Sequence, residues 1–279
     1  MRRAITIAGS DSGGGAGIQA DLKTFSAFGV YGLSVLTAIT AQNTLGVQGV
    51  QVLPPDFVTL QIRSVLSDIG ADAGKTGMLA TKEIVAAVAR EVGAFRLGNL
   101  VVDPVMVSAT GHGLLDEDAV EAVRTLLIPL ATVVTPNLDE AAILWGEKIE
   151  DLDGMKEGAR AIKALGPQYV LVKGGHLAGP RVFDVLYDGK GFEVRDAPKI
   201  PTENTHGSGC TLSAAIAAGL AKGYGVTEAV EAAQRYIHAA IASGLKIGKG
   251  KGPVHHLVKV ERSEARRPKS DTMKKRRQS

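Results

Sequence analysis

The sequence predicts a single α/β domain with a mostly parallel central sheet and an antiparallel hairpin at one edge. Short runs rich in β-branched residues alternate with stretches of helical periodicity along most of the chain, which is the pattern of βαβ units. The run 100–105 is apolar except for Asp103, as expected of a strand buried on both faces. Near the carboxyl end, 182–187 and 192–195 flank Asp188-Gly189, a dipeptide typical of a hairpin turn.

Each predicted element follows from its periodicity and from the residues that end it. The first strand meets a glycine-rich loop at Gly9, and the helix after it carries Ile18, Leu22 and Phe25 on one face. Pro55 lies near the first turn of the second helix, where proline is tolerated. We expect strands at 4–8, 33–41, 47–53, 73–76, 100–105, 132–135, 169–173, 182–187 and 192–195, and helices at 18–28, 55–69, 82–92, 116–126, 138–145, 156–165, 211–222 and 226–244.

The composition is that of a globular protein large enough for one domain with a sizeable core. The 279 residues are 45% hydrophobic and only 4% aromatic, so stacking platforms for single-stranded nucleic acid are not expected. Cys210 is the one cysteine, which excludes an intramolecular disulfide. The apolar run near the start is too short for a signal peptide, and no run reaches the roughly 18 apolar residues of a membrane span. We therefore predict a cytoplasmic protein that binds neither nucleic acid nor membranes.

The excess of basic residues is concentrated at the carboxyl end. Residues 259–279 contain nine Lys or Arg and three Asp or Glu, a net charge of +6, whereas the whole chain carries +3. The net charge of the preceding 258 residues is therefore −3. We predict one domain over 1–258 and a disordered, solvated tail over 259–279, with weak attraction to polyanions as the alternative.

Ligands of open parallel sheets bind beyond the carboxyl ends of the strands, so polar residues and glycines just after strands are candidate site residues. The segment 204–211 enters an alanine-rich helix through Gly207, Ser208, Gly209 and Cys210. Backbone N–H groups at such a helix start favour an anion and would stabilise the charge that develops in phosphoryl transfer. A thiol near the first turn is also expected to have a lowered pKa. The alternative is a plain glycine-rich turn with a buried cysteine.

A second glycine-rich loop, 9–17, follows the first strand and opens a helix. It does not fit a dinucleotide-binding motif, because 13–18 lacks the last glycine of G-x-G-x-x-G and the next strand ends in Gln42 and Asn43 instead of an acidic residue. The Walker pattern G-x-x-x-x-G-K-[ST] is absent from the chain. We predict a mobile loop over a small substrate, with a simple tight turn as the alternative.

Charged and amide side chains follow three other predicted strands. Asn137 and Glu140 share a face of a helix's first turn and are suited to orient Mg²⁺ near ATP phosphates, although their spacing also fits helix capping. Asp103 ends a buried strand and needs a partner, a metal ion or water, unless it only initiates an Asp-Pro turn. Lys173 leaves a buried strand and is a candidate phosphate contact or one half of an ion pair at the rim.

Together these segments resemble the hydroxymethylpyrimidine/phosphomethylpyrimidine kinases. The run 8–24 is similar to the amino-terminal signature of that family. Further motifs match in order at residues 40–44, 75–79, 103–106, 135–141, 173–176, 205–211 and 250–256. The resemblance covers most of the chain and implies a ribokinase-like three-layer fold with helices on both faces of the sheet. It also implies ATP-dependent phosphorylation of 4-amino-5-hydroxymethyl-2-methylpyrimidine, and then of its monophosphate, in thiamine biosynthesis.

The resemblance implies a role for each matching residue. It places Gln42 against the pyrimidine, which suits a carboxamide because one amide can both donate and accept. The implied pocket residues are Asp21, Met78 and Val105, and the implied anion hole is Gly207, Ser208, Gly209 and Cys210. The implied ATP-binding residues are Lys173, Thr205 and Asn137, and the implied Mg²⁺ ligands are Asp103 and Glu140, with Asn137 beside them.

Several alternatives remain open at this point. Cys210 is either the catalytic base or only a part of the anion hole. A pyridoxal or pyridoxine kinase is the nearest alternative function, and a non-catalytic pyrimidine sensor is the alternative from another class. His255 and His256 lack an evident third ligand, so a metal site there is not expected. The family usually dimerises, so we expect a homodimer whose small-molecule partners are the pyrimidine and ATP and whose cofactor is Mg²⁺.

Overall fold

A computed structural model describes residues 1–106, 117–175 and 177–260. The strands in these residues are β1 (Arg3–Ala8), β2 (Tyr31–Leu36), β3 (Ala38–Asn43), β4 (Gly46–Val52), β5 (Ala73–Thr76), β6 (Leu100–Val102), β7 (Val133–Val134), β8 (Tyr169–Lys173), β9 (Arg181–Tyr187) and β10 (Phe192–Pro198). The helices are α1 (Gly17–Ala27), α2 (Pro55–Asp68), α3 (Lys82–Ala94), α4 (Glu117–Ala122), α5 (Leu138–Trp145), α6 (Leu152–Lys163), α7 (Ser208–Ala221) and α8 (Val226–Ala242). A π-helical turn, Val123–Leu127, and a 3-10 turn, Ile128–Leu130, continue α4.

The central sheet has the strand order β10-β9-β8-β7-β6-β5-β1-β2 within the described residues. The strands from β8 to β2 are parallel, and their register pairs Ile5 with Leu33 and Lys75 with Val101. β9 runs antiparallel to both β8 and β10. The predicted mostly parallel sheet with an antiparallel edge hairpin is confirmed.

Helices cover both faces of the sheet because neighbouring residues of a buried strand point in opposite directions. On one face, Ile5 and Val102 pack with apolar side chains of α2, α3, α5 and α6. On the other face, Ala4 and Val101 pack with α1, α7 and α8. The three-layer arrangement implied by the resemblance is therefore present, and the loops that leave the parallel strands meet at one edge.

Residues 33–41, predicted as one strand, belong to two different strands. β2 ends at Leu36, whereas β3 begins at Ala38, leaves the central sheet and pairs with β4 in an antiparallel ribbon. Thr37 fixes the break, because its hydroxyl donates to the carbonyl oxygen of Met78 at 2.7 Å. Both strands alternate with a period of two, so the sequence pattern does not reveal where the chain bends.

The predicted strand at 100–105 is shorter than expected and ends at Val102. The N–H of Asp103 still donates to the carbonyl of Thr76 at 3.1 Å, but Pro104 has no N–H with which to continue the ladder. Asp103 is thereby held at the end of the strand, with its side chain at the edge where the loops meet.

Three stretches lie outside the described residues, namely 107–116, His176 and 261–279. The first contains the start of the helix predicted at 116–126, and the last contains most of the predicted basic tail. None of the described helices has the length and hydropathy of a transmembrane segment.

A buried ion pair ties α1 to the central sheet. Lys75 Nζ lies 2.9 Å and 3.1 Å from the two carboxylate oxygens of Asp21, and both side chains are 0% exposed. The hydroxyl of Thr6 donates to the same carboxylate at 2.6 Å. Burial by itself would lower the pKa of Lys75, but the Asp21 carboxylate raises it above its ordinary value, so the lysine is charged.

We predict that Asp21→Ala lowers the free energy of unfolding by about 3–5 kcal/mol, because it leaves a buried ammonium without its partner. The double variant Asp21→Leu/Lys75→Met removes both charges at similar volume and should recover most of that loss. Urea denaturation at pH 7 measures both effects. A loss below about 1 kcal/mol in Asp21→Ala would show that the ion pair does not hold α1 in place.

Candidate active site

A cleft with a volume of about 450 Å³ opens at the carboxyl end of the parallel strands. Its walls are the loops after β1, β5, β6 and β7, the end of β8, the ribbon β3–β4 and the turn that begins α7. The predicted site residues that line it are Gln42, Met78, Asp103, Val105, Asn137, Glu140, Lys173, Thr205, Gly207, Ser208, Gly209 and Cys210. The topology thus gathers residues from distant parts of the chain at one edge, as expected of an open α/β sheet.

Asp21, predicted to line the substrate pocket, does not reach the cleft. α1 turns its side chain toward the sheet, where the pair with Lys75 and the bond from Thr6 occupy the carboxylate. Lys75, which the sequence argument did not single out, borders the cleft instead. The prediction for Asp21 is therefore corrected: its carboxylate pairs with Lys75 beneath the cleft, and Asp21 is not among the residues that line it.

The turn before α7 is shaped for a bound anion. Gly207 has a left-handed backbone with φ of +78°, and a Cβ here would overlap the carbonyl oxygen of Gly15, so only glycine fits. α7 begins at Ser208, and within the described residues the N–H groups of Gly209 and Cys210 have no carbonyl acceptor. With the positive end of the helix dipole behind them, these two donors favour negative charge in the cleft.

The pKa of Cys210 is not lowered, contrary to the prediction from its place at a helix start. Burial raises the pKa of the thiol to about 11, and the nearby Lys75 ammonium offsets this only in part. The carboxylates of Asp21 and Asp103 raise the pKa further. The thiol is therefore protonated at neutral pH in this structure, because the loss of solvent outweighs the helix dipole.

Asp103 and Lys173 form an ion pair in the floor of the cleft. Lys173 Nζ lies 2.9 Å from Oδ1 of Asp103, whose side chain is 2% exposed. The hydroxyls of Thr135 and Ser213 donate to the same carboxylate at 3.2 Å and 3.1 Å. Burial would raise the pKa of Asp103, but Lys173 and then Lys75 hold it below its ordinary value. The carboxylate is thus ionised, and it joins the ends of β6 and β8 to α7.

Asn137 and Glu140 form a capping box at the start of α5. The Asn137 side chain accepts from the N–H of Glu140 at 2.9 Å, and the Glu140 carboxylate accepts from the N–H of Asn137 at 2.8 Å. Capping, the alternative left open by the spacing, is therefore present, and both residues also line the cleft. Burial raises the pKa of Glu140 to about 7; Lys173 opposes this shift and Asp103 adds to it.

Asp11 and His206 also line the cleft, although neither was predicted as a site residue. The Asp11 carboxylate, 2% exposed, accepts from the N–H groups of Gly13, Gly15 and Ala16 at 2.8–2.9 Å. The His206 ring nitrogen Nε2 lies 3.0 Å from the same carboxylate. The loop 9–17 is thus a hydrogen-bonded turn that forms one wall of the cleft. Its signal in the sequence is an aspartate two residues before a run of glycines, a pattern typical of side-chain-capped turns.

Gln42 lies on β3 with its carboxamide on the wall of the cleft. Its backbone N–H donates to the hydroxyl of Ser12 at 2.8 Å, which fixes the position of the ribbon against the glycine-rich loop. Its side chain makes only long contacts, 3.3 Å from Oε1 to the Thr40 hydroxyl and 3.5 Å from Nε2 to the His206 ring. Contacts of this length are weak, so the carboxamide retains both donor and acceptor capacity for a ligand.

A larger cavity of about 1140 Å³ adjoins the cleft. β9, β10, α8 and the segment after β10 form its walls. Thr205, Ser208 and Lys251 line both cavities, so the two meet at the turn that begins α7. A long ligand in the larger cavity therefore has its inner end beside the free N–H groups of that turn.

The described residues contain no group of three His, Cys, Asp or Glu side chains arranged to hold a metal ion. The cleft does contain two carboxylates close enough to interact, because Asp103 contributes to the raised pKa of Glu140. A divalent cation beside them would relieve that repulsion. Mg²⁺ usually takes one or two carboxylates and completes its shell with water and phosphate oxygens, so this donor set fits Mg²⁺ brought in with a nucleotide.

We predict that Glu140→Gln changes how stability depends on pH. A carboxyl whose pKa is about 7 when folded and 4.5 when unfolded stabilises the fold below pH 4.5, and that contribution is lost as pH rises to 7. Glutamine can keep the capping bond and does not titrate. The wild type should therefore lose about 2–3 kcal/mol more than Glu140→Gln between pH 4.5 and pH 8, measured by urea denaturation without Mg²⁺.

Glu147→Gln is the matched control, because this glutamate is exposed just after the same helix. It should follow the wild type at every pH. A constant difference between wild type and Glu140→Gln across this range would contradict the raised pKa of Glu140.

Known proteins of one family are similar to this chain over most of its length. The model of the phosphomethylpyrimidine kinase family matches residues 11–255. A hydroxymethylpyrimidine/phosphomethylpyrimidine kinase of Streptomyces coelicolor is 54% identical over 252 residues, which cover 90% of this chain and 93% of that protein.

Solved structures agree with the sequence comparison. The phosphomethylpyrimidine kinase of Clostridium difficile superposes with a TM-score of 0.78 at 47% identity, covering 86% of this chain and 100% of that one. The pyridoxal kinase of Bacillus subtilis, solved as an ADP complex, superposes with a TM-score of 0.86 at 45% identity, covering 92% of this chain and 97% of that one. The ribokinase-like α/β architecture, the layout of the cleft and the match over most of the sequence lead to one conclusion: this chain belongs to the phosphomethylpyrimidine kinase family.

Proposed function

We propose that this chain uses ATP to phosphorylate 4-amino-5-hydroxymethyl-2-methylpyrimidine, and then its monophosphate, for thiamine biosynthesis. One observation supports this proposal most strongly. The same cleft is lined by the Gln42 carboxamide, which makes only weak contacts among the described residues, and by the backbone N–H groups of Gly209 and Cys210, which have no carbonyl acceptor there. The carboxamide suits a ring with a hydrogen-bond donor and an acceptor side by side. The two N–H groups suit a phosphoryl group.

The pyrimidine occupies the smaller cleft in this proposal. Gln42 reads the ring nitrogen and the amino group, while Met78 and Val105 supply apolar walls. ATP occupies the larger cavity, with its phosphates directed to Thr205, Lys173 and the turn at the start of α7. The similar Bacillus subtilis kinase was solved as an ADP complex, which supports a nucleotide as the phosphate donor.

Transfer depends mainly on position and electrostatics, because phosphoryl transfer needs little covalent chemistry from the protein. The N–H groups of Gly209 and Cys210 stabilise the charge on the moving phosphoryl group. Mg²⁺, held with ATP by Asp103 and Glu140 beside Asn137, would neutralise phosphate charge when bound. The sensor alternative is not favoured, because the cleft retains every predicted phosphate-contacting residue.

We extend the proposal to a homodimer in the cytoplasm. Ile39 and Val50 on the ribbon, with Phe57 and Leu60 on α2, expose large apolar side chains. Apolar surface of this kind is typical of protein–protein contacts.

The proposed substrate is tested by comparing two alcohols. With Mg²⁺ and ATP, kcat/KM for the hydroxymethylpyrimidine should exceed that for pyridoxal by at least about tenfold, because one carboxamide satisfies the adjacent polar groups of the pyrimidine. A coupled assay of ADP release measures both. Pyridoxal kinase is the competing function because of the close structural likeness to the Bacillus subtilis enzyme. A higher kcat/KM for pyridoxal than for the pyrimidine would contradict our proposal and favour a pyridoxal kinase.

Cys210→Ala tests whether the thiolate form of Cys210, a small fraction at neutral pH, is the catalytic base, which is the role we propose for it. The pKa of the thiol is about 11, so its thiolate fraction rises roughly tenfold for each unit by which the pH increases towards that value. The kcat of the wild type should therefore rise with pH. Cys210→Ala should lower kcat by well over tenfold and abolish that rise, as measured from pH 6 to 9.5. A variant with nearly normal kcat would leave Cys210 with its backbone N–H as the only contribution.

A further inference from the structure

Lys251 lies where the two cavities of the site meet. It lines the smaller cleft and the larger cavity, together with Thr205 and Ser208 of the turn before α7. The terminal phosphate of a nucleotide in the larger cavity must pass this point to reach an acceptor in the smaller one. Lys251 is therefore placed along the path of the transferred group.

The backbone on both sides of Lys251 is held in place. The N–H groups of Lys249 and Gly250 lie 3.2 Å and 3.1 Å from the hydroxyl of Thr44, at the end of the ribbon. The carbonyl of Gly252 accepts from the N–H of His206 at 3.1 Å, so the segment is anchored to the turn before α7 as well. A Cβ at Gly252 would overlap neighbouring atoms, which shows how closely the chain packs there. The Cα of Lys251 is thus fixed relative to both the ribbon and the turn.

The charge of Lys251 has no carboxylate partner in the part of the chain that the structure describes. The smaller cleft is lined by three lysines, and two of them are paired: Lys75 with Asp21, and Lys173 with Asp103. Among the described residues, no carboxylate lies within ion-pair distance of Lys251, and its side chain is exposed. The side chain of Lys251 is flexible although its Cα is fixed, so its ammonium can stay in contact with an anion that moves a short distance. Of the three lysines that line the cleft, Lys251 is the one with no carboxylate partner among the described residues.

We propose that Lys251 is a further catalytic residue, whose ammonium binds the phosphoryl group as it moves from ATP to the acceptor. The hydroxyl oxygen forms a bond to the γ-phosphorus while the bond from that phosphorus to the β–γ bridging oxygen breaks. The bonding electrons leave with ADP, and the hydroxyl proton goes to the base. Lys251 keeps its proton throughout and pairs with the phosphoryl oxygens. This inference rests on the proposed function.

Lys251→Met is the test, with Lys249→Met and Lys246→Met as matched controls from the same exposed segment, because neither of these lysines lines the smaller cleft or the larger cavity. Lys251→Met should lower kcat by about 10²-fold, the usual effect of losing one donor to a developing charge, and should leave KM for the pyrimidine within about threefold. Both controls should keep the kcat of the wild type. An unchanged kcat in Lys251→Met, or an equal loss in the controls, overturns the inference.

A second measurement separates phosphate binding from a merely structural role. Calorimetry with Lys251→Met should show about tenfold weaker binding of the ATP analogue with a methylene in place of the β–γ bridging oxygen, and unchanged binding of ADP. Equal weakening of both ligands overturns the inference, and Lys251→Gln repeats the comparison if the methionine variant is unstable. If the wild type does not phosphorylate the pyrimidine at all, the proposed function fails. If the wild type is active and Lys251→Met matches it, only this inference fails.

Discussion

The Asp11 carboxylate makes the contacts on which the geometry of the site depends. It binds three N–H groups of the glycine-rich loop and the ring of His206, the residue before the turn of α7. Burial would raise the pKa of Asp11, but these hydrogen bonds lower it, so the carboxylate is ionised at neutral pH. Because Gly15 and Gly207 meet at a distance that no side chain permits, the glycine-rich loop and the turn before α7 have one relative position. Binding groups held in this way need little reorganisation when a ligand arrives.

Some charges of the site have a partner within the protein and others have none among the described residues. Asp21 pairs with Lys75, and Asp103 pairs with Lys173, and both pairs lie beneath the cleft at strand ends. The free N–H groups at the start of α7 and the ammonium of Lys251 remain for an anion. The same crowding explains the raised pKa values of Cys210 and Glu140, because burial and neighbouring carboxylates both oppose a further negative charge.

Periodicity in the sequence predicted several elements to the residue, among them α5 at Leu138–Trp145 and β8 at Tyr169–Lys173. These are strongly patterned segments with clear ends, since a proline and an asparagine precede α5 and two glycines follow β8. The same approach joined β2 to β3, because no glycine or proline in 33–41 marks the bend at Thr37, where the chain changes sheets. The motif resemblance located all but one of the predicted site residues on the cleft wall, since the motifs follow the strands whose ends meet in an α/β fold.

Local patterns in the chain were sufficient for the α/β class, the parallel sheet with its edge hairpin, and the glycine-rich turn into a helix at Gly207–Cys210, because each depends on neighbouring residues. Which way Asp21 points and how far the pKa of Cys210 shifts depend on contacts between residues far apart in sequence. The burial of Cys210 among Lys75, Asp21 and Asp103 is a property of packing, and no spacing along the chain encodes it. The unpaired charge of Lys251 is of the same kind, because it is recognised only when the partners of the other two lysines are seen.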